Sequence, residues 1–312
     1  MPLKAGWREK RDGEDKPALS RDLPATGYTR TMDISLPVAL VVLAGAMLHA
    51  AWNALLKGSG DKQLDTAATN LARGLVAALA LPFLPVPAMA SWPWVAASAV
   101  LHIAYFQLLA GAYRHGDMSF TYPVMRGGGP VVATLASLVL FGERLDGPQW
   151  AAVALICAGV LGFTSVPGHE RAALRRPLAL ALANAVVIGA YTLVDAQGAR
   201  ASGAALSYVM WFFVLNGFVQ GGYGLARRGV AVLTYARAHW LRALAGALCS
   251  IGAYGSALWA MTQAPVALVA CLRETAVVFG ALFGVVFLGE RLTRQRVFAT
   301  LLVLAGLVAI RL

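Results

Sequence analysis

Ten times along this chain a run of apolar residues is long enough to cross a lipid hydrocarbon core, which takes about 20 residues of helix. The runs lie at roughly 34–57, 64–87, 92–113, 118–141, 147–166, 177–199, 204–225, 239–262, 265–288 and 294–311. Inside hydrocarbon every backbone N–H and C=O must be satisfied within the protein, which restricts a spanning chain to helices or a closed barrel. The apolar content is nearly continuous around each run rather than confined to one stripe, as helices facing lipid require. Composition agrees, with 59% apolar residues, 13% charged residues and a mean hydropathy of +0.65, where a soluble domain carries about 25% charged residues. The expected class is therefore an all-α integral membrane protein of ten transmembrane helices. Connectors such as Arg114-His115-Gly116-Asp117 are short, so sequential helices are expected to be antiparallel neighbours.

The net charge of +11 and a pI near 10.0 do not point to nucleic acid, because no basic stripe is interleaved with aromatics. Most bases sit in connectors, where they meet lipid headgroups and set orientation. Odd-numbered connectors carry thirteen of them, against three in the even-numbered connectors and the C-terminus. By the positive-inside rule the odd connectors face the cytoplasm. The seven bases of residues 1–31 pull the other way, so only a shared side for the two termini is expected. That leading segment holds no apolar stretch to form a signal-peptide core, and it is expected to be a disordered tail, or to lie upstream of a start at Met32. Cys157, Cys249 and Cys271 fall inside apolar runs without metal-ligand spacing and read as small buried hydrophobes.

An internal duplication organises the ten runs. Arg126 leads an apolar run into Gly142-Glu143-Arg144-Leu145, and Arg273 leads another into Gly289-Glu290-Arg291-Leu292, both at an offset of 147 residues (273 − 126 and 289 − 142). The same ungapped register matches Val131 with Val278, Leu135 with Leu282, Val139 with Val286, Ala152 with Ala299, Leu155 with Leu302, and Ala158-Gly159 with Ala305-Gly306, twelve identities in all. The expected domains are residues 32–166 and 177–312, each a five-helix repeat, joined by a connector at 167–176. An odd number of crossings per half makes the second half enter from the opposite side, an inverted repeat. The repeated turns read as architecture: a glycine ends one helix, Glu and Arg lie at headgroup level, and Asp146 or Thr293 caps the next, Asp146 pairing with Gln149 in a capping box.

A charged group at the bilayer centre costs at least about 2.5 kcal/mol, so intramembrane charge needs a reason. Four charges lie deep by helix position: Arg73, Arg126, Arg273 and Glu274. The duplication sends Arg126 and Arg273 in from opposite faces toward one central cavity, as substrate-binding or gating groups. Glu274 reads equally as counter-ion or proton carrier. The structural alternative is an ion pair of either arginine with Glu274. Around Arg126, Pro123 and Gly127-Gly128-Gly129-Pro130 are expected to loosen the fourth helix, whereas any break in the ninth should be milder. His49, Asn53 and Lys57 share one helical face, as do Asn184, Tyr191 and Asp195, and both faces are expected to point inward, for helix–helix hydrogen bonds or for ligand. Tyr122 is a further candidate, with Asn70, Gln107, Asn216, Tyr254 and Gln263 behind it.

The five-plus-five helices, the stretch His49-Ala-Ala-Trp52-Asn53-Ala-Leu-Leu-Lys57 and the paired Gly-Glu-Arg-Leu turns together resemble the EamA family of the drug/metabolite transporter superfamily over roughly residues 32–312. The resemblance implies a basket of ten helices around a central cavity, first- and fourth-helix residues of each half lining it, alternating access, and a cargo of amino acids, other metabolites, nucleotide sugars or drugs, often exported. Gly127 opposite Glu274 departs from a symmetric two-proton scheme. No phosphate-binding Gly-x-x-x-x-Gly-Lys-Ser/Thr loop occurs, so gradient-driven transport across the plasma (inner) membrane is expected, with proton coupling through Glu274 as one form of it. The surplus of arginine over glutamate among the deep charges favours a carboxylate- or phosphate-bearing substrate. No cofactor or metal is expected, since the five histidines are scattered over separate elements without ligand spacing. A channel, a non-transporting scaffold and a cation/drug–proton antiporter are the other readings, and the oligomeric state stays open.

Overall fold

The computed structural model describes residues 34–115, 118–162, 171–288 and 294–309, all of it helical apart from short connections. The helices of the first half are α1 (Leu36–Lys57), α2 (Lys62–Ala80), α3 (Trp92–His115), α4 (Met118–Leu140) and α5 (Gly147–Gly162). Those of the second are α6 (Arg171–Ala201), α7 (Ala205–Arg228), α8 (Val230–Ala238), α9 (Trp240–Met261), α10 (Val266–Arg273), α11 (Ala276–Leu288) and α12 (Arg294–Ala309). Among the described residues six helical stretches are long and apolar enough to cross a membrane, α10 with α11 counting as one, and three shorter helical segments are strongly apolar. The connector expected at 167–176 is helical from Arg171 onward, and Pro177 sits inside α6.

Local chemistry sets the helix ends. Asp61 accepts from the backbone N–H of Gln63 and Leu64, both at 3.0 Å, which satisfies two orphan donors at the start of α2. Gly142 adopts φ +65° at the turn after α4, a conformation that costs an L side chain energy. Asp146 and Gln149 exchange hydrogen bonds of 2.8 and 3.1 Å in the capping box expected for α5. The second turn, with Glu290 and Thr293, lies outside the described residues.

The helices do not pack mainly with their sequence neighbours, as the short connectors suggested. Each of the first five finds its main partner in the other half: α2 on α7, α5 on α12, α3 and α4 on α6, α1 on α9 and α11. Exchange of the two halves maps this set onto itself, so the contacts have a pseudo-two-fold character. The duplicated residues show why. A Cβ at Gly159 would come within 2.6 Å of the Val303 side chain and 2.8 Å of the Ala299 carbonyl; one at Gly306 would meet Ile156 at 2.6 Å and the Ala152 carbonyl at 2.9 Å. The reciprocal glycines let α5 and α12 cross at backbone contact. Leu135 and Leu282 are exposed to 52% and 54%, and Val139 and Val286 to 83% and 62%, so matched positions face outward together. Asn184 and Asp195 are meanwhile fully buried. Apolar outside and polar inside is the arrangement a lipid solvent selects.

One expectation is reversed. The fourth helix runs without interruption through Gly127-Gly128-Gly129-Pro130, while the ninth run breaks between α10 and α11 at Glu274 and Thr275. The glycines serve packing: a Cβ at Gly128 would lie 2.8 Å from that of Ala185, and one at Gly129 would collide with Ile188. The break needs neither glycine nor proline. The N–H groups of Glu274 and Thr275 bond the carbonyls of Cys271 and Leu272 three residues back, and the Thr275 hydroxyl donates to Leu272 O at 2.8 Å. This tightens the chain into a turn.

Candidate functional site

A cavity of about 160 Å³ lies among the helices. Its lining comes from α1, α2, α3 and α4 of the first half and from α6, α7, α9 and α10 of the second. Four helices of each half thus contribute, where the resemblance implied the first and fourth of each; α5 and α12 are occupied with each other. A water-sized group takes roughly 10–15 Å³ on this measure, so the space holds on the order of ten such groups.

Of the residues singled out in the sequence, His49, Arg73, Arg126, Tyr191 and Arg273 line this cavity. Glu274 does not. It borders a neighbouring void of about 10 Å³ shared with Arg126, Tyr191 and Arg273. There Arg126 Nη2 donates to Glu274 Oε1 at 2.9 Å, the two side chains being 12% and 6% exposed. The ion pair thus joins α4 to the α10–α11 break, one partner from each half. Asn53 is not in the cavity: its side-chain amide donates to the His49 carbonyl at 2.7 Å, one turn back on its own helix. Lys57, on the same face, is exposed at the helix end. Tyr122 lies on α4, but its side chain is outside the described residues. Asn70, Asn216 and Tyr254 also line the space, whereas Gln107 and Gln263 do not.

The second set, Asn184, Tyr191 and Asp195, divides. Asn184 donates to Met125 Sδ at 2.8 Å against α4. Asp195 lies behind the cavity wall, accepting from the Tyr208 hydroxyl at 2.8 Å and from the Tyr254 hydroxyl. The sequence inventory of deep charges therefore missed a buried acid, and it missed Asp65, which accepts from Tyr235 at 3.2 Å near Arg242. Helix position alone counted Asp195 as a polar face residue, because its two tyrosine donors arrive from α7 and α9.

The arginines differ in what they meet. Arg126 is paired with Glu274. Arg73 lies over the Trp52 ring at 5.2 Å and Arg273 over the Tyr254 ring at 5.7 Å, geometries that favour a cation on an aromatic face. Among the described residues neither has a carboxylate within ion-pair distance, and Arg73 Nε is buried without a hydrogen-bond partner. His102, reckoned among the scattered histidines, lines the same cavity as His49. Its ring packs 4.3 Å from Tyr191 and 4.8 Å from Phe212, and its Nδ1 lies 2.9 Å from Ser98 O. Trp52, carried in the sequence only as a motif residue, donates to His49 at 3.4 Å.

Away from the cavity lining, Glu143 of the first Gly-Glu-Arg-Leu turn does more than face headgroups. It accepts from the N–H groups of Val266 and Ala267 at 2.7 and 3.2 Å, capping α10 across the two halves. Arg200 lies 3.6 Å from the same carboxylate and donates to Met261 O at 2.8 Å.

Comparison with known proteins relates the chain to transporters. The profile of the EamA-like transporter family matches twice, over residues 36–165 and 175–312. The multidrug transporter EmrE of Escherichia coli (strain K12) is 39% identical over 70 residues, which is 22% of this chain. The match spans 63% of the length of that relative. A solved crystal structure superposes with a TM-score of 0.69 at 19% identity, covering 88% of this chain and 96% of its own, a likeness of fold.

Proposed function

Because the chain belongs to the EamA-like transporter family, we propose that this membrane transporter is a secondary active carrier, moving a small polar or anionic metabolite such as an amino acid or organic acid outward across the plasma (inner) membrane by alternating access. The observation that carries the reading is the shared cavity, walled by four helices of each half and holding three arginines. A site built equally from two repeats is exposed to one side or the other as the repeats rock. In this reading the chain makes ten crossings, α10 and α11 forming one, as two inverted repeats at 32–166 and 177–312 behind a leading segment at 1–31. Arg73 and Arg273 bind the substrate's anionic group, His49 and Tyr191 orient it, and Arg126 with Glu274 forms the bridge across the repeats.

Saturable counterflow of metabolites in proteoliposomes tests the carrier against a channel or a scaffold. We expect Arg273→Lys to raise KM at least tenfold, since lysine cannot reproduce bidentate guanidinium contacts; unaltered kinetics in both Arg273→Lys and Arg126→Lys would count against the assignment. Glu274 is the candidate proton carrier, and counterflow that ignores pH in both wild type and Glu274→Gln would remove that role. Similarity to a multidrug transporter favours a second reading, a cation/drug–proton antiporter. The three cavity arginines weigh against it, because a cationic drug would meet like charge.

A further inference from the structure

We infer that the cargo of this cavity is an aromatic carboxylate without an amine, rather than an amino acid; the inference rests on the carrier reading above and narrows it. Three features of the wall argue for it. The first is charge without an acid: Arg73, Arg126 and Arg273 line the cavity, and among the described residues none that lines it is Asp or Glu. An amino acid needs a partner for its ammonium as well as for its carboxylate. Neither nearby buried acid lines the cavity; Glu274 keeps one oxygen without a hydrogen-bond partner among the described residues, but on another void. Asp195 has one oxygen on the Tyr208 hydroxyl and the other on the Tyr254 hydroxyl. Glu274 borders only the void of about 10 Å³, where an ammonium would lie between Arg126 and Arg273.

The second feature is unmet positive charge. Arg126 is satisfied by Glu274 at 2.9 Å, but Arg73 and Arg273 rest on aromatic faces, and Arg73 Nε is a buried donor with no partner among the described residues. A buried unsatisfied donor favours any ligand that brings an acceptor, and a carboxylate accepts two parallel guanidinium hydrogen bonds. The third is the aromatic share of the same wall. Tyr191, Phe212, Tyr254 and Tyr105 surround His102 with ring centroids 4.3 to 6.4 Å from it, edges and faces that suit a planar ring. A cavity of about 150 Å³ takes a benzene ring, so the space of about 160 Å³ here seats one ring, with its acid tail directed at the arginines of the wall.

A matched pair of ligands decides the point on the unmodified protein. Equilibrium binding of 3-phenylpropionate, L-phenylalanine and propionate to the purified transporter in detergent is measured by calorimetry. The first two share ring and carboxylate and differ in the α-amino group; the first and third share the carboxylate and differ in the ring. We expect 3-phenylpropionate to bind at least tenfold more tightly than either, with at least a tenfold loss in Arg73→Gln and recovery of part of it in Arg73→Lys. Equal or tighter binding of L-phenylalanine overturns the inference, as does binding of neither aromatic ligand or binding of propionate as tightly as 3-phenylpropionate. Should the inference fail while metabolite counterflow persists in proteoliposomes, the carrier reading stands; loss of all counterflow removes that reading instead.

Discussion

The residues that stood out in the sequence did so because hydrocarbon makes charge conspicuous. Arg126, Arg273 and Glu274 could be picked out by position alone, and their convergence on adjoining spaces follows from the duplication. Their partners could not, since Arg126 bonds Glu274 from 148 residues away, a relation that no spacing along one helix encodes. Asp195 was read as one face of a helix because its tyrosines come from α7 and α9. Two outcomes follow at this scale. Arg126→Gln leaves Glu274 buried and unpaired, which should cost about 3–5 kcal/mol. The double variant Arg126→Gln/Glu274→Gln should regain most of that, as thermal or denaturant unfolding in detergent will show. Tyr208→Phe strands one oxygen of Asp195 and should cost about 1–3 kcal/mol, while Tyr208→Phe/Asp195→Asn should lose less than the two single changes added together.

Elements were legible as runs of hydropathy, but their irregularities were not. The triple glycine and Pro130 looked like a break and are a packing surface for α6. The real break, between α10 and α11, is made by Thr275 and by backbone bonds to carbonyls three residues back, and an apolar run with one threonine carries no signal for it. The duplicated Ala-Gly pair is the opposite case, visible in the sequence and now given a cause in the α5–α12 crossing. Since the crossing is reciprocal, Gly159→Leu and Gly306→Leu should each destabilise by about 1–3 kcal/mol through overpacking and to a similar degree, measured by the melting temperature of the purified protein. A large difference between them would mean that the two halves do not contribute equally to the crossing.

For the molecule as a whole, two inter-repeat clasps hold opposite ends of α9. At one, Arg242 near its start donates to Leu55 O at 2.9 Å, beside the Arg228–Asp61 pair at 2.6 Å. At the other, Met261 accepts from Arg200, which also approaches Glu143. The two points are 19 residues apart (261 − 242), so about 29 Å along the helix, one on each side of the cavity. The Arg228–Asp61 pair is over a third exposed, where solvent screens it, and the Glu143 cap contributes about 1 kcal/mol, so both ends are weak enough to open and close. Glu143→Ala should raise labelling of a cysteine placed in the cavity from its own end, and Arg228→Ala from the other, each by about fivefold per kcal/mol lost. Acid should act on the clasp that holds Asp61. The Leu64 N–H, and after it the Arg228 guanidinium, hold the Asp61 carboxyl below its usual range. That pairing therefore survives above the ordinary carboxylate value of about 3.9 and is lost as pH falls through the lowered one. The exchange of contacts between halves has a last consequence, for synthesis. Until α6 and the helices after it emerge from the ribosome, the first five have none of their main partners, and α2 and α5 present surfaces whose natural complement is their own counterpart. Such a surface is self-complementary in the sense of an isologous dimer, so a truncated product ending after α5 would be expected to seek out a second copy of itself, turned over in the bilayer.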